Sequence, residues 1–300
     1  MARRILVTGG AGQVGLELQA ADWPLDIEIL APTRDELQIS DRASVEPWFA
    51  ANPVDVIVNC AAHTAVDKAE EEVGEAFAAN AMGPAHLADM ARTADIPLVQ
   101  ISTDYVFDGC ADAAYGHDDV ANPSGVYGAS KRAGELAALS GNPRTIVLRV
   151  AWVLSAHRSN FLKTMLRVGA THPKLRVVAD QQGCPTSAKD IAEAIRILVL
   201  RLMDDGTAPT GIYHFVNAGS ASWHELAQHI FAEASALGGP SPEVEAIGTA
   251  DYPTPARRPA NSRLDTSRIS ADYGITPREW RLAVRDIVHQ LNELNPFEGS

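Results

Sequence analysis

Residues 4–15 read RILVTGGAGQVG, and this stretch decides the fold. Its first five residues form a short apolar run that ends in a threonine, which predicts a buried strand. A glycine-rich turn follows, and a helical pattern of apolar residues begins at Leu16. In such a strand, turn and helix, backbone N–H groups and the helix dipole point at one spot and favour an anion there.

The glycines at 9, 12 and 15 have the spacing Gly-x-x-Gly-x-x-Gly. One inserted residue separates it from the Gly-x-Gly-x-x-Gly pattern that cradles the pyrophosphate of a dinucleotide. We expect Gly9 to make the turn, Gly12 to let the pyrophosphate approach and Gly15 to let the helix pack on the sheet. Gln13 and Val14 are further expected cofactor contacts. An ordinary tight turn is the alternative, but the strands that follow favour the dinucleotide.

Apolar runs at 26–32, 55–62, 97–102 and 144–150 predict four more strands, with helical patterns between them. Alternating strands and helices predict an α/β fold, a Rossmann-type doubly wound parallel sheet. After Trp152 short strands stand among helices, which indicates a smaller mixed α/β C-terminal substrate domain. We place the NAD(P)-binding domain at 1–155 plus about 175–205, and the substrate-binding domain at about 156–174 and 206–300.

The residues just after the predicted second strand would meet the adenosine ribose of the cofactor. Asp35 is able to accept from a 2′-hydroxyl, whereas Arg34 is able to hold a 2′-phosphate. Both types are present, so the sequence leaves NADH and NADPH open. The third strand ends in Ala61, Ala62 and His63, and the small residues among them let a flat cofactor lie across its tip.

Two further groups of residues carry candidate chemistry. The fourth strand delivers Thr103 and Asp104 at its carboxyl end, where ligands bind in open parallel sheets. Tyr127 and Lys131 are four residues apart on a predicted helix and therefore share one face. A nearby ammonium favours the phenolate, so we expect Lys131 to lower the pKa of Tyr127 and to make the phenol a proton donor.

A proline-rich loop near the C-terminus concentrates positive charge in an otherwise acidic chain. Arg257 and Arg258 lie among prolines at 253, 255 and 259. Arginine forks suit a diphosphate, and the prolines stiffen the loop that presents them. We expect these arginines to bind substrate; a salt-bridged surface loop is the alternative.

Composition narrows the possible partners and the compartment. The 300 residues carry a formal charge of -13, which argues against a nucleic-acid surface. The N-terminal apolar run is too short for a signal peptide or a membrane span. Three widely separated cysteines fit a reduced cytoplasm. We therefore expect a cytoplasmic protein with no nucleic-acid or membrane partner.

Taken together, these motifs resemble the extended short-chain dehydrogenase/reductases. Within that family the match is to reductases of nucleotide-linked 4-keto-6-deoxysugars, and it runs from about residue 4 to about residue 290. The stretches that carry the resemblance are 8–15, 59–62, 102–104, 127–131, 62–70, 102–109, 180–186 and 252–259.

The resemblance implies an activity and a role for each site residue. It implies reduction of dTDP-4-dehydro-L-rhamnose to dTDP-L-rhamnose by NADPH or NADH, with Tyr127 giving the proton. Lys131 would lower the phenol pKa and hold the nicotinamide ribose, and Thr103 would orient phenol or substrate. Trp152 would contact the nucleotide-sugar substrate.

The same resemblance leaves rival functions open. Related dehydratases place Asp and then Glu after the threonine, but here Tyr105 follows Asp104 and cannot easily replace a carboxylate base. Dehydration is therefore disfavoured. An epimerase with the same cofactor and tyrosine remains an alternative, and so does a non-catalytic NADP-binding regulatory subunit.

A magnesium ion and the oligomeric state are also left open. Some relatives hold Mg²⁺ at a dimer contact, and Glu17 matches the first of the expected carboxylates. Lys189 stands where a second acid is expected, and an ammonium is no ligand for magnesium. We expect a monomer or a homodimer.

Overall fold

The computed structural model describes residues 2–297. Its strands in chain order are β1 (Arg3–Thr8), β2 (Ile27–Leu30), β3 (Val56–Asn59), β4 (Leu98–Thr103), β5 (Thr145–Val150), β6 (Val153–Leu154), β7 (Lys174–Val178), β8 (Gln182–Gly183), β9 (Thr186–Ser187), β10 (Gly211–His214), β11 (Ala221–Ser222) and β12 (Glu243–Ile247). Its α-helices are α1 (Gln13–Ala20), α2 (Arg42–Ala51), α3 (Val66–Ala69), α4 (Val73–Phe77), α5 (Gly83–Thr93), α6 (Val126–Gly141), α7 (Phe161–Gly169), α8 (Ala188–Asp204), α9 (Trp223–Ala236), α10 (Ser267–Tyr273) and α11 (Trp280–Leu294).

A six-stranded parallel sheet in the order β10-β5-β4-β3-β1-β2 forms the centre of the fold. The chain runs from β1 outward to β2, then back past β1 to β3, β4 and β5. Reversal of the strand order beside β1 opens a crevice at the carboxyl ends of the strands, where ligands bind in such sheets. The predicted doubly wound α/β sheet is confirmed.

Helices cover both faces of the sheet because neighbouring side chains of a strand point to opposite faces. Ile5 and Val7 of β1 pack in one buried cluster with Leu18 of α1 and the apolar side of α8. Leu6, between them, packs in a second cluster with residues of α2, α5 and α6. The central strands are therefore apolar throughout, as parallel strands buried on both faces are.

The helical pattern predicted for residues 71–93 is present but interrupted. A π-helical turn, Ala78–Met82, separates α4 from α5 and contains the buried Asn80. This turn lies against α6 at Gly134, where an added Cβ would stand 1.9 Å from the carbonyl oxygen of Asn80. Such single π turns are frequent at functional sites.

The C-terminal part contains a third apolar cluster, built from α7, α9 and α11. A small parallel pair, β7 with β12, packs against α9 through Val177 and Phe231. The segment predicted to cross back into the first domain, about 175–205, does so only in its second half. Strand β7 pairs with β12 instead. The chain rejoins the central sheet at α8, whose apolar side packs on α1.

The predicted division into domains stays a prediction, but one boundary in it is wrong. Residues 206–300 were assigned to the substrate-binding part, whereas β10 pairs with β5 as an edge strand of the central sheet. Tyr213 of β10 is fully buried in the same cluster as β1. Sequence alone does not show this pairing because a short apolar strand fits either sheet. Among residues 2–297, no helix has both the length and the apolarity needed to cross a bilayer.

Candidate active site

A cavity of ≈ 820 Å³ lies along the carboxyl ends of the central strands. It begins at the glycine turn after β1, passes the ends of β2, β3 and β4, and ends against Trp152 after β5. The sequence-predicted residues that line it are Gly9, Gly12, Gln13, Val14, Gly15, Arg34, Ala61, Ala62, His63, Thr103, Asp104, Tyr127, Lys131 and Trp152. Residues as far apart in the sequence as Gly9 and Trp152 therefore line one crevice.

The glycine turn is packed so closely against its own backbone and the end of β3 that side chains would not fit at two of its positions. Gly9 has φ +66, and a Cβ there would lie 2.6 Å from the backbone nitrogen of Ala61. A Cβ on Gly15 would lie 2.4 Å from the carbonyl oxygen of Gly9. Helix α1 starts at Gln13 without a side-chain cap, so its first N–H groups are available to an anion. These features fit the diphosphate of a dinucleotide.

The two residues predicted for the ribose end are placed differently. Arg34 lines the cavity, and its Nε donates to Gln38 Oε1 at 3.0 Å. Asp35 is exposed and does not line the cavity. A cation therefore stands closest to the position expected for a 2′-substituent.

Asn80 holds the loop after β3 in place. The N–H of His63 donates to Asn80 Oδ1 at 2.8 Å, and Asn80 Nδ2 donates to the carbonyl oxygen of His63 at 3.0 Å. Asn80 Nδ2 also donates to Ser130 Oγ at 3.0 Å. The π turn thereby joins the cofactor side of the cavity to helix α6.

Helix α6 presents Tyr127 and Lys131 to the same cavity as the glycine turn. The Nζ of Lys131 donates to the carbonyl oxygen of Ile101 at 2.6 Å. Burial lowers the pKa of Lys131 to about 8, and the Glu135 carboxylate one helical turn further on opposes that shift. The side chain is still mainly an ammonium at neutral pH.

The expected direction of the Tyr127 pKa is wrong for this structure. Burial raises the pKa of the phenol above its ordinary value, and the Asp104 carboxylate and the Tyr105 phenol act in the same sense. An interaction with the Thr103 hydroxyl opposes the shift, but Lys131 makes no resolved contribution. The ammonium is engaged with Ile101, and loss of hydration outweighs its attraction. Tyr127 therefore holds its proton firmly at neutral pH.

Thr103 and Asp104 form a buried hydroxyl–carboxyl pair at the end of β4. The Oγ1 of Thr103 donates to Asp104 Oδ1 at 2.9 Å and accepts from the N–H of Tyr105 at 3.2 Å. Asp104 is 3% exposed, and its Oδ2 has no hydrogen-bond partner. Burial raises the pKa of this carboxyl to about 6. Contacts with the Ser262 and Thr103 hydroxyls oppose the shift. Because Asp104 lines the cavity, a donor on a ligand is a candidate partner for its unpaired oxygen.

An aromatic wall closes the far end of the cavity. Trp152 has φ 46 and stacks on Trp223, with ring centroids 3.5 Å apart and planes at 8°. Trp223 Nε1 donates to Gln181 Oε1 at 3.1 Å. Sequence reasoning found Trp152 but missed Trp223 and also Arg158, which both line the cavity. Both come from distant chain segments, and no local spacing marks them.

The two predicted substrate arginines lie outside this cavity. Arg258 forms an ion pair with Asp67 at 2.7 Å and donates to the hydroxyl of Tyr105 at 3.3 Å. Arg257 is exposed. The N–H of Ala256 also donates to Asp67, at 3.1 Å, so the proline-rich loop is fastened beside α3. Arg258 does contact a residue that lines the cavity, since Tyr105 is one of the lining residues.

The candidate magnesium residues do not form a ligand cluster. Glu17 lies 3.6 Å from His157 Nε2, and Lys189 is exposed. Across residues 2–297, no group of three or more His, Cys, Asp or Glu side chains is arranged to hold a metal ion. Within one copy of the chain, residues 2–297 therefore supply no complete ligand set, and the magnesium ion at a contact between two copies stays a prediction.

Comparison with known proteins agrees with this geometry. The sequence model described as RmlD substrate binding domain matches residues 3–293. A Sinorhizobium fredii protein named dTDP-4-dehydrorhamnose reductase is 43% identical over 289 residues, which cover 96% of this chain and 97% of that protein.

Two solved structures superpose over almost the whole chain. A dTDP-4-dehydrorhamnose reductase from Clostridium acetobutylicum is 35% identical with a TM-score of 0.90, covering 96% of this chain and 99% of that one. The Bacillus anthracis enzyme of the same name, in complex with NADP, is 31% identical with a TM-score of 0.89 and covers 97% and 100% of the two chains.

Proposed function

The chain belongs to the RmlD substrate binding domain family, and from this premise we propose that it reduces dTDP-4-dehydro-L-rhamnose to dTDP-L-rhamnose with NADPH or NADH. One observation carries the proposal. The glycine turn, Thr103, Tyr127 and Lys131 all line a single cavity, so a bound dinucleotide and a keto sugar would meet there. When bound, the nicotinamide supplies a hydride to C4 of the sugar.

Tyr127 is the proposed proton donor to the C4 oxygen. The reaction converts a carbonyl into an alcohol, so the oxygen needs one proton as the carbon receives two electrons. A buried phenol whose pKa is raised keeps its proton until a strongly basic oxygen forms beside it. The raised pKa keeps the phenol protonated but makes it a weaker acid than the lowered pKa expected from the sequence would. The transfer therefore relies on the basicity of the alkoxide that forms as C4 receives the hydride.

Lys131 and Thr103 are proposed to prepare the site for this transfer. The bond to Ile101 uses one proton of the Lys131 ammonium and leaves two for the hydroxyl groups of the nicotinamide ribose. The hydroxyl of Thr103, beside Tyr127 in the cavity, orients phenol or substrate.

The sugar nucleotide is proposed to lie between the aromatic wall and the proline-rich loop. Trp152 and Asp104 both line the cavity, where the indole would contact the sugar ring and the carboxyl group would accept from a sugar hydroxyl. Arg257 is the exposed arginine available to the substrate diphosphate, while Arg258 fastens the loop to Asp67. Arg34, rather than Asp35, lines the ribose end, which favours NADPH over NADH.

The test is a spectrophotometric assay of NADPH oxidation with dTDP-4-dehydrorhamnose, comparing the parent with Tyr127→Phe. We expect kcat to fall by about 10²–10⁴-fold, because the phenylalanine has no proton to give. Tyr273→Phe is the matched control, since Tyr273 lies in α10 and does not line the cavity. Retained turnover in Tyr127→Phe would refute the assigned donor.

The same assay separates the two alternative functions. A reductase consumes one NADPH for each sugar reduced, whereas an epimerase isomerises the sugar without net loss of cofactor. A regulatory subunit binds NADP and turns over no keto sugar. Product analysis by mass spectrometry, which distinguishes a gain of two hydrogens from an isomer, completes the comparison.

A further inference from the structure

The loop of residues 155–160, which joins β6 to α7, crosses directly over the glycine turn. Gln13 Oε1 accepts from Ser155 Oγ at 3.1 Å and from Asn160 Nδ2 at 2.9 Å. Asn160 also caps α7, since its Oδ1 accepts from the N–H of Lys163 at 3.1 Å. The start of α1 and the start of α7 are therefore joined by side chains around one glutamine.

Arg158 is the charged residue of this crossing. Its backbone has φ 55, a conformation that non-glycine residues rarely adopt. Its Nε donates to the carbonyl oxygen of Ala11 at 2.5 Å, inside the glycine turn. An unusual backbone conformation that persists where a ligand site is built is a reason to look for a function. The side chain lines the same cavity as Gly9–Gly15.

Three positively charged side chains are distributed along the cavity. Among the described lining residues, Arg34, Lys131 and Arg158 carry a permanent or near-permanent positive charge. Arg34 stands at the ribose end and Lys131 at the nicotinamide end. Arg158 alone of the three is bonded to the glycine turn, where the diphosphate of the cofactor would lie.

We propose that Arg158 is a further cofactor-binding residue whose guanidinium binds the diphosphate beside the N-terminus of α1. This inference rests on the dinucleotide of the proposed function. The carbonyl oxygen of Ala11 accepts the hydrogen bond from Nε. The two terminal amino groups keep four N–H donors, in the fork geometry that suits phosphate oxygens. The diphosphate is then held between backbone N–H groups and an arginine from the C-terminal half of the chain.

The test is the affinity of the full chain for NADP⁺ and for NAD⁺, measured by calorimetry without any sugar. Arg158→Gly suits the left-handed backbone and removes the charge, and Arg158→Gln removes the charge but keeps a polar side chain. We expect both variants to bind NADP⁺ and NAD⁺ more weakly than the parent, by a similar factor on the order of tenfold. Arg34→Gln, as a contrast, weakens NADP⁺ alone.

Two controls make the result decisive. Arg176→Gln removes an exposed arginine of β7 that does not line the cavity, and it leaves both affinities unchanged. An unchanged Tm in Arg158→Gly shows that the fold is intact. Unchanged affinity in the Arg158 variants, or a loss confined to NADP⁺, overturns the proposal. Because no sugar is present, a chain that fails to reduce dTDP-4-dehydrorhamnose still gives a clear answer here.

Discussion

Asp104 is buried at a position where the ionised carboxylate is less favourable than it is in water. The carboxyl group is almost fully buried, one oxygen has no partner, and burial raises its pKa to about 6. An ordinary aspartate in an unfolded chain ionises near pH ~4. The ionised form is thus less stable in the folded protein than in the unfolded chain, and the difference is the cost of keeping an acceptor ready on the cavity wall.

Replacing Asp104 with asparagine is expected to stabilise the protein and to impair turnover. Because the folded pKa is raised, the proton favours the fold at low pH, and that stability is lost as pH rises from about 4 through about 6. Two pKa units correspond to about 3 kcal/mol, and Asp104→Asn removes most of that penalty at pH 7.5.

Urea unfolding at pH 5 and pH 7.5 measures this directly. The variant is expected to gain more at pH 7.5 than at pH 5, by about 1–2 kcal/mol, since part of the parent carboxyl is already protonated at pH 5. Asp119→Asn, on an exposed loop, is the control. A variant that is no more stable than its parent at pH 7.5 would contradict the assigned burial cost.

Residue spacing was enough to bring Tyr127 and Lys131 together, but not to give the sense of the Tyr127 pKa. A four-residue interval on a helix is a local property, and it correctly predicts one shared face. Burial is not local: Tyr105 packs edge-on against Tyr127 with ring centroids 5.5 Å apart, although 22 positions separate them. Neither Trp223 nor Arg158 has a local signature of any kind.

Helix α6 is placed by close backbone contacts rather than by large side chains. A Cβ on Gly128 would stand 2.1 Å from the carbonyl oxygen of Tyr105, and one on Gly134 would stand 1.9 Å from that of Asn80. These contacts set Tyr127 and Lys131 at their depth in the cavity. Two glycines inside a helix weaken it, so their presence here is a consequence of packing.

Gly128→Ala is expected to lower both stability and turnover. Alanine favours the helix by about 1 kcal/mol, but the clash with a backbone oxygen forces α6 outward and costs about 1–3 kcal/mol. The displaced helix moves Tyr127 away from the substrate carbonyl, so kcat falls as well. Urea unfolding and the NADPH assay measure the two effects.

Gly74→Ala is the matched control for this substitution. Gly74 lies in α4, and an added Cβ there meets nothing within 4 Å. That variant is expected to be more stable than the parent by roughly 0.5–1 kcal/mol, with unchanged turnover. Equal behaviour of the two variants would show that the contact with Tyr105 does not constrain α6.

Elements were predicted best where the pattern is long and periodic. The strand at 144–150 and the helix beginning at Tyr127 were confirmed as β5 and α6, with one or two residues of difference at the ends. The π turn between α4 and α5 was not predicted from the sequence. Strand β12 was missed because its apolar residues are few.

The central sheet is completed only by the C-terminal half of the chain. Strand β10 covers the edge of β5, and α8 covers α1 with Ile191, Ile195 and Leu198, which are fully buried. Ile269 and Ile275 add to the same cluster. The dinucleotide-binding part and the rest of the molecule therefore share one core.

A chain that ends at residue 155 is expected not to fold on its own. It lacks β10 and α8, so the apolar side of α1 and the edge of β5 would face water. Circular dichroism during a urea titration is expected to show no cooperative transition, in contrast to the full chain. A fragment that unfolds cooperatively and binds NADP⁺ would show that the first 155 residues are an independent domain.

Strand β10 is translated well after β5, its neighbour in the sheet, and this delay has a consequence during synthesis. About sixty residues separate the end of β5 from the start of β10, so at roughly 5–20 residues per second the ribosome leaves that edge uncovered for several seconds. An open strand edge of this kind pairs readily with neighbouring nascent chains. Yield of active protein is therefore expected to depend on translation speed between codons 150 and 211, with slow codons there increasing the aggregated fraction.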